Sequence, residues 1–284
     1  MGKIYDALEK AQKESVPSVE TPKGSVAEFY EQDETVRKTA GLLEPLKLHD
    51  HVDRNLVTYL KPRSIESEMF KILRGNILFP QSGTPPKSIM VTSAVPGEGK
   101  SFVSANLAVS IAQNINEHVL LMDCDIRHSG IHRMLGLDDG VRGLSEYLKG
   151  EVDIQTIFRK TDEEKLTILP GGHPPHNPAE LLSSQKMSEL LVEVRERYAD
   201  RYIIIDSPPP QLTAETSAIA RQVDGIILVV KYGETPRDMV ADLVEIVGRE
   251  KILGCVLNWF DLKSSSYYGY GKYGKYSKYY QRGQ

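Results

Sequence analysis

Two groups of residues in this 284-residue chain are spaced for chemistry on phosphate. The first is the loop Ala94-Val95-Pro96-Gly97-Glu98-Gly99-Lys100-Ser101, with a short apolar run before it and a helical pattern after it. Glycines in such a loop let backbone N–H groups turn inward around phosphate oxygens, and the following helix aims its N-terminus at the same anion. In this pattern Lys100 reaches the β- and γ-phosphates of a nucleotide and Ser101 ligates Mg²⁺. The expected ligand is therefore ATP with Mg²⁺.

The second group is a set of acids at the ends of apolar runs. Ile203-Ile204-Ile205 ends in Asp206, a carboxylate able to hold a metal-bound water beside the loop. Leu120-Leu121-Met122-Asp123-Cys124-Asp125-Ile126-Arg127 ends in two acids and an arginine. On a continuing strand Asp123 and Asp125 project to the same side. A nucleotide-hydrolysing loop protein needs one strand-tip acid besides Ser101, so this extra pair offers a second metal anchor and a general base. Either Asp123 or Asp125 fits the role of base for an attacking hydroxyl.

A source for that hydroxyl stands at the end of the chain. Tyr267, Tyr268, Tyr270, Tyr273, Tyr276, Tyr279 and Tyr280 are half of the 14 tyrosines, and only Gly, Ser, Lys, Arg and Gln accompany them from Ser264 onward. Such a stretch cannot bury a core and predicts a disordered tail. After Asp261 there is no acid, while Lys263, Lys272, Lys275, Lys278 and Arg282 make the tail a cationic arm. A tail of phenols attached to a nucleotide site suggests that the phenols are phosphoryl acceptors.

The elements that must position these groups follow from the alternation of short apolar runs with helical periods. Strands are expected at Ile89–Val91, His118–Met122, Leu166–Leu169, Tyr202–Ile205, Gly225–Val230 and Ile252–Leu257. Helices are expected at 101–113, at Pro178–Tyr198 with Asn177 capping, and at Arg237–Val247. Alternation of this kind predicts an α/β fold: a doubly wound, mainly parallel sheet with helices on both faces, and ligands beyond the carboxyl ends of the strands. Before it, Ser64 caps a helix running to Phe79 with an apolar stripe of Ile65, Met69, Ile72, Leu73 and Ile77. Residues 2–13 read as a short amphipathic helix and 14–60 as a linker, so the expected organisation is 1–60 extension, 61–262 P-loop domain and 263–284 tail.

Composition excludes other classes. A net charge of -4 argues against a general nucleic-acid binder. No apolar run approaches the ~18 residues of a membrane span, and the opening MGKIYDALEKAQ is too charged for a secretory signal. Cys124 and Cys255 sit in apolar runs and read as reduced core residues of a cytoplasmic protein.

With these motifs and the tyrosine tail, the chain from about residue 60 onward resembles the bacterial tyrosine kinases of polysaccharide export, on the MinD/ParA-like branch of P-loop proteins. The loop, the Asp123-x-Asp125-x-Arg127 segment and Asp206 correspond to that family's three Walker motifs. Gly143-Leu144-Ser145-Glu146-Tyr147-Leu148, and Leu169-Pro170-Gly171-Gly172 through Asn177-Pro178-Ala179-Glu180-Leu181-Leu182, are further echoes. The partition ATPases of the branch carry an early loop lysine where this chain has Val95, and its iron–sulfur carriers need a CxxC that is absent.

The resemblance implies a protein-tyrosine autokinase that uses ATP and Mg²⁺ and regulates exopolysaccharide or capsule synthesis. It assigns Pro96, Gly97, Glu98, Gly99, Lys100, Ser101, Phe102, Arg127 and Asn258 to the nucleotide. Lys100, Asp123 and Asp125 would act in catalysis, and Ser101, Asp123 and Asp206 at the metal. Glu68, Lys71 and Arg74 match a Glu-x-x-Arg-x-x-Arg ring-forming helix, with Lys in place of the middle Arg. A homo-oligomeric ring, a separate transmembrane activator at the inner face of the plasma membrane and a tyrosine phosphatase are the implied partners. An ATPase that switches assembly without phosphorylating protein is the alternative reading.

Overall fold

In the computed structural model, residues 52–197, 201–208 and 214–260 are described. Seven strands form one sheet: β1 Ser88–Ser93, β2 His118–Asp123, β3 Arg159–Lys160, β4 Leu166–Leu169, β5 Arg201–Asp206, β6 Gly225–Lys231 and β7 Ile252–Asn258. Their order is β3-β4-β2-β5-β1-β6-β7, and every pairing is parallel except β3 with β4. The strands β1, β2 and β5 are short continuous apolar runs because they are covered on both faces. Ile89, Val91, Leu121, Ile204 and Val229 pack to one side, and Met90, Leu120, Met122, Ile203, Ile205 and Leu228 to the other.

The helices are α1 Val57–Leu60, α2 Ile65–Leu78, α3 Lys100–Ala112, α4 Ile131–Met134, α5 Leu144–Lys149, α6 Pro178–Leu182, α7 Gln185–Arg197, α8 Ala214–Ala220 and α9 Arg237–Val247. The helix that matters most is α3, which runs directly from the glycine loop. It is buried almost along its whole length, so the loop is anchored to the core rather than to a surface element.

The doubly wound fold holds as read from the sequence, and several local expectations are corrected. Residues 52–60, expected in the linker, are folded: Leu56 is fully buried, and Asn106 on α3 accepts from both the N–H and the hydroxyl of Thr58 at 3.0 Å. The single helix expected over Pro178–Tyr198 is broken after Leu182. There Ser183 and Ser184 turn their hydroxyls onto the Ala179 and Leu181 carbonyls, and Ser184 Oγ accepts from Met187 N–H to start α7. Asn177 makes no side-chain cap, and Pro178 opens α6 through its preset φ alone.

On α2 the Ser64 cap is present, at 3.2 Å from Ser67 N–H. The buried face, however, is Ser67, Phe70, Ile77 and Leu78, leaving Ile65, Met69 and Ile72 exposed. Phe70 wins the inward position by packing edge-on to Phe102 of α3, with ring centroids 5.6 Å apart. Cys255 is exposed, not core, because β7 is the last strand of the sheet and has no described strand on its outer side. The residue 2–13 helix, the rest of the 14–60 segment and the tyrosine tail lie outside the described residues.

Candidate nucleotide and phosphoryl-transfer site

The parallel register brings the acids together before any side chain is considered. Asp123 on β2 is the register partner of Asp206 on β5, and Val91 on β1 pairs with Asp206 from the other side. Neighbouring strands lie about 4.8 Å apart, so two carboxylates meet at the carboxyl end of the sheet directly beneath the loop that leaves β1.

The loop itself is bent by glycine. Gly97 and Gly99 have φ of 81° and 94°, a region that a side chain disfavours. A Cβ on Gly99 would also collide with Asn258 Nδ2 and displace that side chain. Asn258, at the tip of β7, donates to the Glu98 carbonyl at 2.8 Å and so ties the last strand to the loop. The Glu98 side chain is fully buried and does not face the cavity. It accepts from Val95 N–H at 3.0 Å and Lys231 N–H at 3.2 Å, and from the Thr235 hydroxyl.

Ser101, the first residue after the loop lysine, donates to Asp206 Oδ2 at 2.5 Å. Ser104, one turn further along α3, donates to Asp206 Oδ1 at 3.1 Å. Sequence reasoning missed Ser104, although its i+3 spacing from Ser101 puts both on one face of the helix. Asp206 has no solvent exposure. Burial first and the Asp123 charge second push its carboxyl up to about 8, against the opposing pull of the Ser101 bond and the Lys100 charge.

Asp123 is also sealed from solvent. Its Oδ2 accepts from Ser129 Oγ at 2.7 Å and from the N–H groups of Gly130 and Ile131 at 3.2 Å each. Its Oδ1 is buried with no hydrogen-bond partner. Burial dominates and raises this carboxyl to about 6, although the Ser129, Ile131 and Gly130 bonds pull it down. Ser129 was missed because nothing in its spacing marks it; it reaches Asp123 only through the turn that follows β2.

That turn also separates the paired acids. The strand ends at Asp123, and the chain turns so that His128 N–H bonds to the Asp125 carbonyl and to Asp125 Oδ1 at 3.1 and 3.3 Å. Asp125 thus lines a cavity of about 390 Å³ with Pro96, Gly97, Lys100, Ser101, Arg127 and Pro208. Gly99 and Phe102 line it too. The structure therefore gathers the loop, Lys100, Ser101, Asp125 and Arg127 around one cavity. Asp123 and Asp206 do not line it: both are sealed at the strand ends, Asp206 reaching the site through its bond from Ser101, and Asn258 stands behind the loop.

The ring-helix residues sit elsewhere, on α2. Lys71 Nζ lies 2.6 Å from Glu68 and donates to the Pro62 carbonyl at 2.9 Å, while Arg74 donates inward to the Ser110 carbonyl at 2.6 Å. Among the described residues no helix is long and apolar enough to cross a membrane.

Residues 86–251 match the family model of the AAA domain. The chain is 37% identical over 221 residues to the tyrosine-protein kinase YwqD of Bacillus subtilis, covering 77% of this chain and 92% of that one. It is 30% identical over 212 residues to the tyrosine-protein kinase wzc of Salmonella typhimurium, covering 74% of this chain but 29% of that longer protein. The kinase domain of Escherichia coli tyrosine kinase ETK superposes with a TM-score of 0.68 at 28% identity, over 76% of this chain and 84% of that domain. The loop, the sealed strand-tip carboxylates and these similarities lead to one assignment: the chain belongs to the bacterial tyrosine kinases, built on a P-loop fold.

Proposed function

We propose that this kinase uses ATP to phosphorylate its own C-terminal tyrosines, passing phosphate between neighbouring chains of a ring, and that the phosphorylation state regulates exopolysaccharide synthesis and export. The observation that carries the reading is the cavity that Lys100, Asp125 and Arg127 line together, next to two sealed acids of which one, Asp123, keeps an oxygen without a hydrogen-bond partner.

The donor set fits Mg²⁺. Asp123 Oδ1 is an oxygen without a partner, and Asp206 is held only by two hydroxyls that can rotate toward a ligand. Mg²⁺ is bound through one or two carboxylates and substrate phosphates, with waters completing its shell. Ser101, Asp206 and Asp123 would hold the ion, which when bound neutralises charge on the phosphates.

The remaining work falls to the chain's own groups. Loop amides and Lys100 hold the triphosphate and the charge that builds on the transferred phosphoryl. The tyrosyl oxygen forms a bond to the γ-phosphorus, the bond to the β-phosphate oxygen breaks, and ADP leaves. A neutral phenol, with a pKa near ~10, attacks poorly unless a base takes its proton. Asp125 is better placed for this than Asp123, because it lines the cavity while Asp123 is sealed and spends Oδ2 on three donors.

Ring contact through α2 would use Glu68, Lys71 and Arg74 beside the exposed Ile65, Met69 and Ile72. Each phosphate brings about -1.5 to -2 charges, so about three phosphates cancel the five basic residues of the tail. This swing is expected to release the tail from an acidic neighbour and open the ring. Unchanged oligomer size by light scattering after dephosphorylation would contradict it. A separate membrane protein would supply activation and recruit the kinase to the inner face of the membrane, and a tyrosine phosphatase would reset the tail.

The test is peptide mass spectrometry of residues 264–284 after incubation with Mg²⁺·ATP. Wild-type chain should carry phosphate on several tail tyrosines. A Lys100→Met chain should carry it only when mixed with wild type. Hydrolysis of ATP with an unmodified tail would instead identify an assembly-switch ATPase.

A further inference from the structure

Asp123 Oδ2 takes all its donors from one turn, Ser129 to Ile131. Two of them are backbone N–H groups, fixed wherever the turn is formed. The third is the Ser129 hydroxyl, which rotates unless its neighbours hold it. Two neighbours do. Gly171, on the loop after β4, packs so tightly that a Cβ there would lie 2.8 Å from Ser129 Oγ and 3.0 Å from its Cβ. His132, on α4, brings Nδ1 to 3.2 Å from the same oxygen. Ser129 and His132 are both buried.

The direction of these bonds follows from counting protons. A hydroxyl has one proton to give, and an ionised carboxylate only accepts. Ser129 therefore spends its proton on Asp123 Oδ2, at 2.7 Å. Oδ2 also accepts from the Gly130 and Ile131 N–H groups, so a proton on Asp123 would sit on Oδ1 and leave this direction unchanged. In its contact with His132 the hydroxyl must then accept, and Nδ1 must carry the proton. The other ring nitrogen, Nε2, faces Asp139 Oδ1 at 3.2 Å. Asp139 is 80% exposed and also lies 3.5 Å from Arg133 Nε. A line of four side chains thus runs inward from the surface: Asp139, His132, Ser129, Asp123. Its outer link is solvated and its two inner links are buried.

We infer that Ser129 is a positioning residue for Asp123 and that His132 Nδ1 sets its hydroxyl: together they hold Oδ2 against the turn, so that Oδ1, the oxygen without a partner, is the one offered to Mg²⁺. The inference rests on the assignment of Asp123 to the metal and deepens it. Neither Ser129 nor His132 lines the cavity, so both act through Asp123. Groups that orient a metal ligand in this way carry about 10- to 100-fold in metal affinity.

The test is calorimetry of ADP binding to the full chain with and without Mg²⁺, the ratio of the two affinities being the gain that the ion brings. Ser129→Ala should cut that gain about tenfold and leave metal-free ADP affinity unchanged. His132→Asn keeps a donor near the place of Nδ1 and should preserve the gain. His132→Leu removes the donor and should lose several-fold. A full gain in Ser129→Ala, or an equal loss with and without Mg²⁺, overturns the inference. If Ser129→Ala does not fold, equal gains in His132→Asn and His132→Leu overturn it instead. A wild-type chain with no gain from Mg²⁺ removes the metal assignment, and the inference with it. The readout does not need the tail: an unmodified tail in a chain whose gain depends on Ser129 removes the autokinase reading and keeps the inference.

Discussion

Two pairs of buried carboxylates stand around the same end of the sheet and are treated in opposite ways. Glu98 and Glu146 are saturated by donors largely fixed in the backbone. Glu98 takes the Val95 and Lys231 N–H groups together with the Thr235 hydroxyl. Glu146 takes the N–H of Gly143 at 2.7 Å and both the N–H and the ring of His173 at 3.1 and 2.9 Å. Burial alone would raise the Glu146 carboxyl, but these bonds outweigh it and hold it below its usual range. Asp123 and Asp206 lie deeper than Glu146; one keeps an orphan oxygen and the other leans on two hydroxyls, and both are pushed upward, by burial first. The first pair braces loops; the second is the pair that the proposed function assigns to the metal ion. Depth of burial and completeness of hydrogen bonding together separate the two bracing acids from the two assigned to the proposed metal site.

The contrast is sharpest at the site itself. Lys100→Met, which removes the cation that serves the phosphates, should lower tail phosphorylation by about 10³-fold or more while leaving the fold intact, as checked by phosphopeptide counting alongside circular dichroism. Glu98→Gln exchanges an acceptor for an NH₂ group facing fixed donors. It should cost about 1–3 kcal/mol of stability and raise the KM for ATP, because the Val95 end of the loop is released.

Glu146→Gln should cost a similar ~1–3 kcal/mol near pH 7 with little effect on KM. Its pH dependence has a definite sign. A carboxyl depressed on folding stabilises the protein above its unfolded value near 4.5, and that stabilisation is lost as pH falls through the lower folded value. Urea unfolding of wild type and variant should therefore converge below that range; a constant gap would show that Glu146 acts through shape alone. The smallest effect is expected at Lys71→Ala. Its exposed ion pair with Glu68 is worth about 0.2–1 kcal/mol at most, so a larger change in ring size than in stability would place Lys71 at a chain-to-chain contact.

The sequence carried those parts of the site that are local in the chain. The loop, the strand ends at Asp123 and Asp206, and helix α9 were legible because each is a short run with its own period or spacing. What escaped depends on the third dimension. The outward face of α2 was decided by Phe70 meeting Phe102 across two helices. The exposure of Cys255 follows from β7 lying at the end of the strand order, which an apolar run does not disclose. The break at Ser183–Ser184 is hydroxyl competition for helix carbonyls, hidden inside an otherwise helical pattern. Ser129 is a single residue in a turn, identifiable only once the backbone shows what it approaches.

The most direct test of the contrast is thermal unfolding of wild type and Asp206→Asn at pH 8, each with and without Mg²⁺·ATP. The folded carboxyl, near 8, lies above its unfolded value of 3.8. Between those values the native chain holds a proton that the unfolded chain has lost, so stability falls as pH rises through the window. An asparagine, neutral throughout, removes that loss. The ligand-free variant should therefore melt higher than wild type by about 2 °C or more and gain less than wild type from Mg²⁺·ATP. A variant that melts lower without ligand, or gains as much from Mg²⁺·ATP, would place Asp206 among the braces and contradict the account.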